Sequence, residues 1–196
     1  MKKINQNNKA IAVDIALSAF MDNPSMNWFL NPRYPKTKAM KALCEHCVDM
    51  GIKKNGAFIS DDDCCICLIF EHDAGIGNLE AFFLNYKFIN DCCGWSKVWR
   101  VIKRNKLIKQ KRLKTPHLYC LLLASNKKAG NKSVIEVKNF MFALSEQKQM
   151  PILAETALMQ NKRVYEYYGF HTYDECLIPD SDVHLWLMKR DLKKTD

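Results

Sequence analysis

The stretch Ala124–Val137, ASNKKAGNKSVIEV, joins an apolar run to a helical pattern through a loop with one glycine, Gly130. A strand, a short loop and a helix start present free backbone N–H groups and the positive end of a helix dipole, an arrangement that holds phosphates. Lys127, Lys128 and Lys132 add side-chain charge to it. Ser133 and Glu136 also have the S-x-x-E spacing of a capping box, which sets a helix start at Ser133. A capped helix with solvated lysines uses the same residues, so the loop alone leaves both readings open.

Two other stretches have chemical potential. CEHC, Cys44–Cys47, and the cysteines of CCIC, Cys64–Cys67, could supply thiolates to zinc. A structural zinc site needs two convergent ligand pairs. Cys44 and Cys47 fall on the apolar stripe of a helix and Cys65 and Cys67 alternate within a strand, so core packing is the expectation and no metal is assigned. In KVWRVIKRNKLIKQKRLK, Lys97–Lys114, every charged residue is basic and is interleaved with Trp99, Ile102, Leu107 and Ile108. That composition suits a helix facing nucleic acid or an anionic membrane surface. The plainer expectation is a helix docked by its apolar stripe with a basic face in water.

The elements that must position these residues follow from periodicity. Asn7–Phe20 is a helix with Ile11, Ile15 and Ala19 inward, and Asp22–Tyr34 is a proline- and asparagine-rich loop whose Trp28 and Tyr34 pack on the core. A second helix carries Met40, Leu43, Cys44, Cys47 and Val48 at i, i+3, i+4 spacing. GAFISDDDCCICLIF reads as two strands turning at Asp61–Asp63, the second apolar enough to be covered on both faces. Helical pattern fills about 78–114, broken near Cys93 and Gly94. The strand HLYCLLLA, a helix, the strand PILAETAL, a short helix ended by Gly169 and an antiparallel pair complete the chain. This order predicts a mixed α/β (α+β) fold: a central, mostly antiparallel sheet of about six to seven strands flanked by helices, with a helical insertion before the fourth strand.

The 196 residues, 48% hydrophobic, fit one globular domain, 1–196, with no span of the ~20 apolar residues a bilayer requires. The N-terminal MKKINQNNKAIAVDIALSAF is broken by Asp14 and lacks a small-residue cleavage site, so it reads as a helix. Nine cysteines in apolar contexts suit reduced, buried thiols and a cytoplasmic protein. The net charge of +9 favours anionic partners without choosing among them.

NKRVYEYYGF, Asn161–Phe170, resembles a segment of the GCN5-related N-acetyltransferases, the GNAT superfamily, that reads N-x-x, an aromatic or aliphatic residue, then Y-E-x-x-G-F, and it matches at Asn161, Tyr165, Glu166, Gly169 and Phe170. PILAETA, Pro151–Ala157, is similar to that family's P-x-x-L-E-T-S strand, and HLYCLLLAS, His117–Ser125, to an H-W-Y-L strand of a bacterial subgroup. AFMDNPSMNWFLN is similar to a common opening. The family pattern runs from His117 to Phe170 without a gap and puts its phosphate motif, Q/R-x-x-G-x-G/A, on Ala129–Val134. Ala129, Lys132 and Val134 depart from the motif's three defining positions.

The resemblance implies an N-acetyltransferase that uses acetyl-coenzyme A and a primary amine on a small molecule or peptide. It assigns cofactor contacts to Leu123, Ser125, Ala129, Gly130, Asn131, Lys132, Ser133, Val134 and Asn161. It makes Tyr165 the general acid for the leaving thiolate, with Glu155 and His117 as candidate bases. The degenerate loop beside a dense basic helix motivates an alternative, a binding module of this fold that no longer catalyses and holds an anionic partner. Oligomeric state is not legible.

Overall fold

The computed structural model describes residues 1–192. Its strands are β1 (Lys2–Lys3), β2 (Ala57–Ile59), β3 (Cys65–Glu71), β4 (Leu118–Ser125), β5 (Ile152–Thr156), β6 (His171–Leu177) and β7 (His184–Arg190). They form one seven-stranded sheet in the order β1-β2-β3-β4-β5-β7-β6. All pairings are antiparallel except β4 with β5, which the helix of a crossover connection joins in the way parallel neighbours require. The expected fold class is the one observed, with β1 as an additional short edge.

The helices are α1 (Lys9–Phe20), α2 (Pro24–Asn27), α3 (Lys36–Lys53), α4 (Asn78–Phe88), α5 (Val98–Lys111), α6 (Asn131–Lys148) and α7 (Met159–Tyr167). Strand alternation divides the core between the sheet's faces. Ile66, Leu68, Leu122 and Ala124 pack with α1 and α3, while Cys65, Cys67, Leu118 and Cys120 pack with Val137 and Met141 of α6. β3 is buried on both faces, as its apolar run predicts. Met40, Leu43, Cys44, Cys47 and Val48 are all buried on α3.

Two local features of the sheet open it on one side of β4. The register of β3 with β4 shifts between Leu68, opposite Leu122, and Ile69, opposite Cys120. Leu121 is thus the extra residue of a β-bulge, which bends a strand and re-aims its side chains. The parallel ladder joins only Leu118, Tyr119 and Cys120 to Ile152, Leu153 and Ala154. Beyond the bulge, β4 therefore has no strand partner on its β5 side among the described residues, and the two strands part.

α1 turns a different face inward from the one expected. Ala12, Val13, Ile15 and Ala16 are buried, and Ile11 is 43% exposed. The helix is apolar almost all round, so its phase is set by the small alanines that allow close approach to the sheet. The loop Asp22–Tyr34 contains α2, capped by the Asn23 side chain accepting from the N–H groups of Ser25 and Met26. Trp28 and Tyr34 pack on the core as expected.

The insertion is α4, a π-helical turn (Ile89–Cys93), Gly94, a 3-10 turn (Trp95–Lys97) and α5. Leu79, Phe82, Phe83, Tyr86, Trp95, Trp99 and Ile102 leave an exposed apolar face on it. Gly94 has φ +71° and ψ 153°, and a Cβ there would lie 2.2 Å from Asn31 Nδ2. Only glycine adopts that conformation at low cost. The adjoining Cys92 carbonyl accepts from the Asn31 N–H at 3.0 Å, so this point fastens the insertion to the 22–34 segment. Gly94→Ala is expected to destabilise the fold by ~1–3 kcal/mol, seen as a lower thermal midpoint by calorimetry. An unchanged midpoint would show that the fastening does not contribute.

Candidate active site

Two cavities meet where β4 leaves β5. The larger, of about 920 Å³, lies between α3, α5 and the strands, with Tyr119, Leu121 and Leu122 of β4 and Glu155 of β5 in its wall. The smaller, of about 250 Å³, lies between α6 and α7, lined by Val134, Val137, Met141, Val164 and Tyr168 over Ala124 and Ala154. Leu123, Asn161 and Tyr165 line both. Access between the sheet's two sides follows from the missing ladder bonds beyond Cys120.

At this junction the Tyr165 ring lies 5.5 Å from that of Phe170, tilted by 37°, and packs in the core beneath α6. Burial, and secondarily the Cys120 and Cys67 thiols, push its phenol pKa up, so Oη holds its proton at neutral pH. Glu155 Oε1 accepts from Arg112 Nη2 at 2.7 Å, Arg112 Nε at 3.1 Å and Tyr119 Oη at 3.1 Å. The Arg112 guanidinium lies 3.6 Å over the Tyr119 ring. Burial and the Glu155 charge keep the Tyr119 phenol protonated. Oε2 of Glu155 has none of these bonds.

His117, just before β4, has Nδ1 2.7 Å from the Thr115 carbonyl, so Nδ1 carries the proton and Nε2 is left with a lone pair. Nε2 is buried without a partner among the described residues, and the ring lies 4.8 Å from His72. The first turn of α6 has no side-chain cap and no acidic residue, and the space around Gly130 is open. Its leading N–H groups are thus free donors at a positive helix end.

Solved structures share this architecture over nearly their whole length. A histone acetyltransferase HPA2 and related acetyltransferase from Corynebacterium glutamicum aligns with a TM-score of 0.68 at 15% identity, covering 98% of this chain and 96% of that one. Arylalkylamine N-acetyltransferase 2 from Aedes aegypti aligns at 0.63 with 16% identity over 98% of both chains. A polyamine N-acetyltransferase from Drosophila melanogaster, which forms N-acetylagmatine, aligns at 0.62 with 8% identity over 96% of both.

The chain has the GNAT fold.

No protein-family model and no curated protein matches its sequence. Within the GNAT fold, the structure gathers Leu123, Asn161 and Tyr165 at the cavity junction, with Glu155 and His117 in the wall of the larger cavity. Ser125, Gly130, Asn131 and Lys132 are exposed around the α6 start and Ala129 is half-buried there. Val134, 43% exposed, borders the smaller cavity.

Ser133 is placed differently from the expectation. It is 1% exposed and donates to Asp62 Oδ2 in the β2–β3 turn. Together with Ser60, that hydroxyl holds the Asp62 carboxyl down at about 2. α6 starts at Asn131 with Gly130 as N-cap, and Glu136 accepts from the Asp61 N–H at 3.3 Å. The capping box is therefore not formed. The turn of the β2–β3 hairpin takes both of its side chains.

α5 keeps the expected division of faces only in part: Val101 and Ile108 dock and Lys103, Lys106 and Lys109 face water, but other residues change sides. Ile108 is its buried residue, and Trp99 and Ile102 are exposed, whereas Arg104 and Arg112 line the larger cavity. Their spacing of four residues on either side of Ile108 is the signal that places them inward. Of the cations that a binding module would use, Lys103 and Lys109 are exposed and the two arginines are not. The cavity rather than an external partner receives the arginines, which disfavours that alternative.

Burial lowers the pKa of both His117 and His46, the latter on α3 with its ring 4.7 Å from Phe88. Both imidazoles take up a proton less readily in the folded chain than in the unfolded one, which protonates near the ordinary value of about 6.5. Their stabilisation is complete above that value and is lost as the pH falls below it, because unfolding then binds protons. Denaturant unfolding should thus show lower stability at pH 5 than at pH 7, and a His46→Gln, His117→Gln double variant a shallower decline. An equal decline in both proteins would remove the two histidines as its source.

Proposed function

We propose that this chain, 1–196, is one acyltransferase domain that moves an acetyl group from acetyl-coenzyme A to a primary amine on a small molecule or peptide. The meeting of two cavities at Leu123, Asn161 and Tyr165, in a fold shared with N-acetyltransferases, carries this reading. The nine cysteines are free thiols, all but Cys64 and Cys176 buried, which supports a reducing, cytoplasmic setting. Among the described residues no helix is long and apolar enough to cross a membrane.

The residues present fit the cofactor. The uncapped N–H groups of Asn131, Lys132 and Ser133, the open space at Gly130 and the exposed Lys127, Lys128 and Lys132 would hold its pyrophosphate. The edge of β4 at Leu123 and Ser125 would offer backbone bonds to its arm, with Asn161 across the smaller cavity. When bound, acetyl-coenzyme A supplies a thioester whose acetyl group passes to the amine nitrogen as the sulfur leaves and takes a proton.

Tyr165 holds that proton on Oη beside the junction and donates it. Two groups facing the larger cavity can take the surplus proton of the amine: Nε2 of His117, which has no partner among the described residues, and Oε2 of Glu155, whose other oxygen Arg112 and Tyr119 hold in place. Apolar walls from Leu43, Phe29 and Val101 limit water there.

Isothermal titration should show heat with acetyl-coenzyme A. Tyr165→Phe should lower turnover on the order of a hundredfold while leaving that affinity nearly unchanged. No binding at millimolar cofactor would sink the assignment, and an unaffected rate would take Tyr165 out of the chemistry.

A further inference from the structure

The larger cavity is unusually cationic for a compartment that must admit an amine. Lys54, Arg104, Lys109, Arg112 and Lys114 line it, and Glu155 is the one carboxylate in its wall among the described residues. Glu155 is already engaged by Arg112. Lys54 is held against the Phe70 ring at 4.4 Å, and burial lowers its pKa. No acidic side chain of the described wall is left to receive a second positive charge on an acceptor.

Arg104 is the least explained of these cations. Its guanidinium rests on the Phe29 ring at 4.8 Å, and Nη1 donates to the Asn105 side chain at 3.2 Å. Its Nε is buried without any partner, and no carboxylate among the described residues pairs with it. A half-buried guanidinium with an unbonded Nε and no ion pair is costly to keep there; burial lowers its pKa, and the charge of Glu155, already bonded to Arg112, offsets that only in part. Its unused donor at the wall of a cation-lined cavity makes it a place for an anion to bind.

Arg104 and Arg112 lie two helical turns apart, about 12 Å along α5 at 1.5 Å per residue. Arg112 is fixed at Glu155, on the strand that borders the junction. Arg104 sits toward the aromatic wall formed by Phe29 of the 22–34 segment. An acceptor with an amine near Tyr165 and Glu155 can thus extend its other end to Arg104.

We propose that the acceptor is an anionic amine, a compound whose acylated nitrogen is accompanied by a carboxylate or phosphate that Arg104 binds. This rests on the acyltransferase reading and narrows it. It sets this site apart from one built for polyamines, the acceptor class of the Drosophila melanogaster neighbour. A second cation would face Arg104 with nothing to offset it.

Matched acceptor pairs test the idea: tyrosine against tyramine, arginine against agmatine, and phosphoethanolamine against ethanolamine. The full chain is assayed with acetyl-coenzyme A by thiol release. In at least one pair the anionic member is expected to have a kcat/KM at least tenfold higher. Tyrosine and arginine leading identifies a carboxylate, and phosphoethanolamine leading identifies a phosphate. Arg104→Gln should abolish the preference mainly through a higher KM, and Arg104→Lys should restore part of it. The Gln variant should melt within a few degrees of the parent, because it removes a half-buried cation that forms no ion pair. Neutral or cationic members leading in every pair, or a preference that survives Arg104→Gln, would overturn the proposal.

Anion binding is also measurable without the cofactor, by titrating N-acetyltyrosine, N-acetyltyramine and inorganic phosphate into the chain. Tighter binding of N-acetyltyrosine or phosphate, weakened at least tenfold by Arg104→Gln, supports the anion site even if acetyl-coenzyme A fails to bind. Equal affinities in parent and variant reject the site even if the chain proves to be an acyltransferase.

Discussion

The structure depends on how β4 is bent. The extra residue, Leu121, falls directly after the last rung that β4 shares with β5. Up to Cys120 the strand is an ordinary interior member of the sheet. Past the bulge its exposed backbone edge faces open space instead of β5, and the cavities on the sheet's two sides can communicate. A continuous ladder would seal this passage and leave two unconnected clefts. Apolar side chains on both faces of β3 and β4 stabilise the strands well enough to tolerate the lost bonds.

Around that opening the two sides differ in what they present. The α6–α7 side is mostly apolar, with free backbone donors at the helix start. The α3–α5 side is rich in cations, with a single carboxylate fixed by arginine and tyrosine. The three solved structures named above share 8% to 16% identity with the chain, so the same scaffold is built from largely different residues. Here the insertion brings Arg104, Lys109 and Arg112, because α5 forms one wall of the larger cavity.

Much of this fold is legible in the sequence where one signal acts locally. The apolar runs of β3 and β4, the stripe of α3 and the Gly169 stop of α7 (φ +85°) are each set by near neighbours, and each is found as expected. The ordered matches from His117 to Phe170 likewise bring Leu123, Asn161, Tyr165, Glu155 and His117 to the cavities. Sequence patterns mislead where a distant element decides the outcome. Ser133 and Glu136 have capping-box spacing, yet the β2–β3 turn, some seventy residues earlier, takes both. α1 carries apolar residues all round, so only its partner fixes which are buried. The bulge at Leu121 leaves no mark in a run of leucines, since it is defined by register with β3. Charge alone assigns Arg104 and Arg112 to solvent, although their spacing from Ile108 points them inward.

The wall that α5 provides is fixed in an uncommon way. Ile108 is its one buried side chain, Val101 and Arg104 pack against the core and Phe29, and three ionic ties complete the attachment: Arg112 to Glu155 and Lys111 to Asp174, each at 2.7 Å, and Arg100 to Asp180 at 3.4 Å. The more exposed of these ties, Arg100 to Asp180 and Lys111 to Asp174, weaken as salt screens them, whereas the packing of the sheet does not. Ionic strength is therefore a lever on this wall. As salt rises, the amides of α5 lose protection from solvent exchange before those of β3 and β4, and the compartment becomes easier to enter while the scaffold beneath it stays closed.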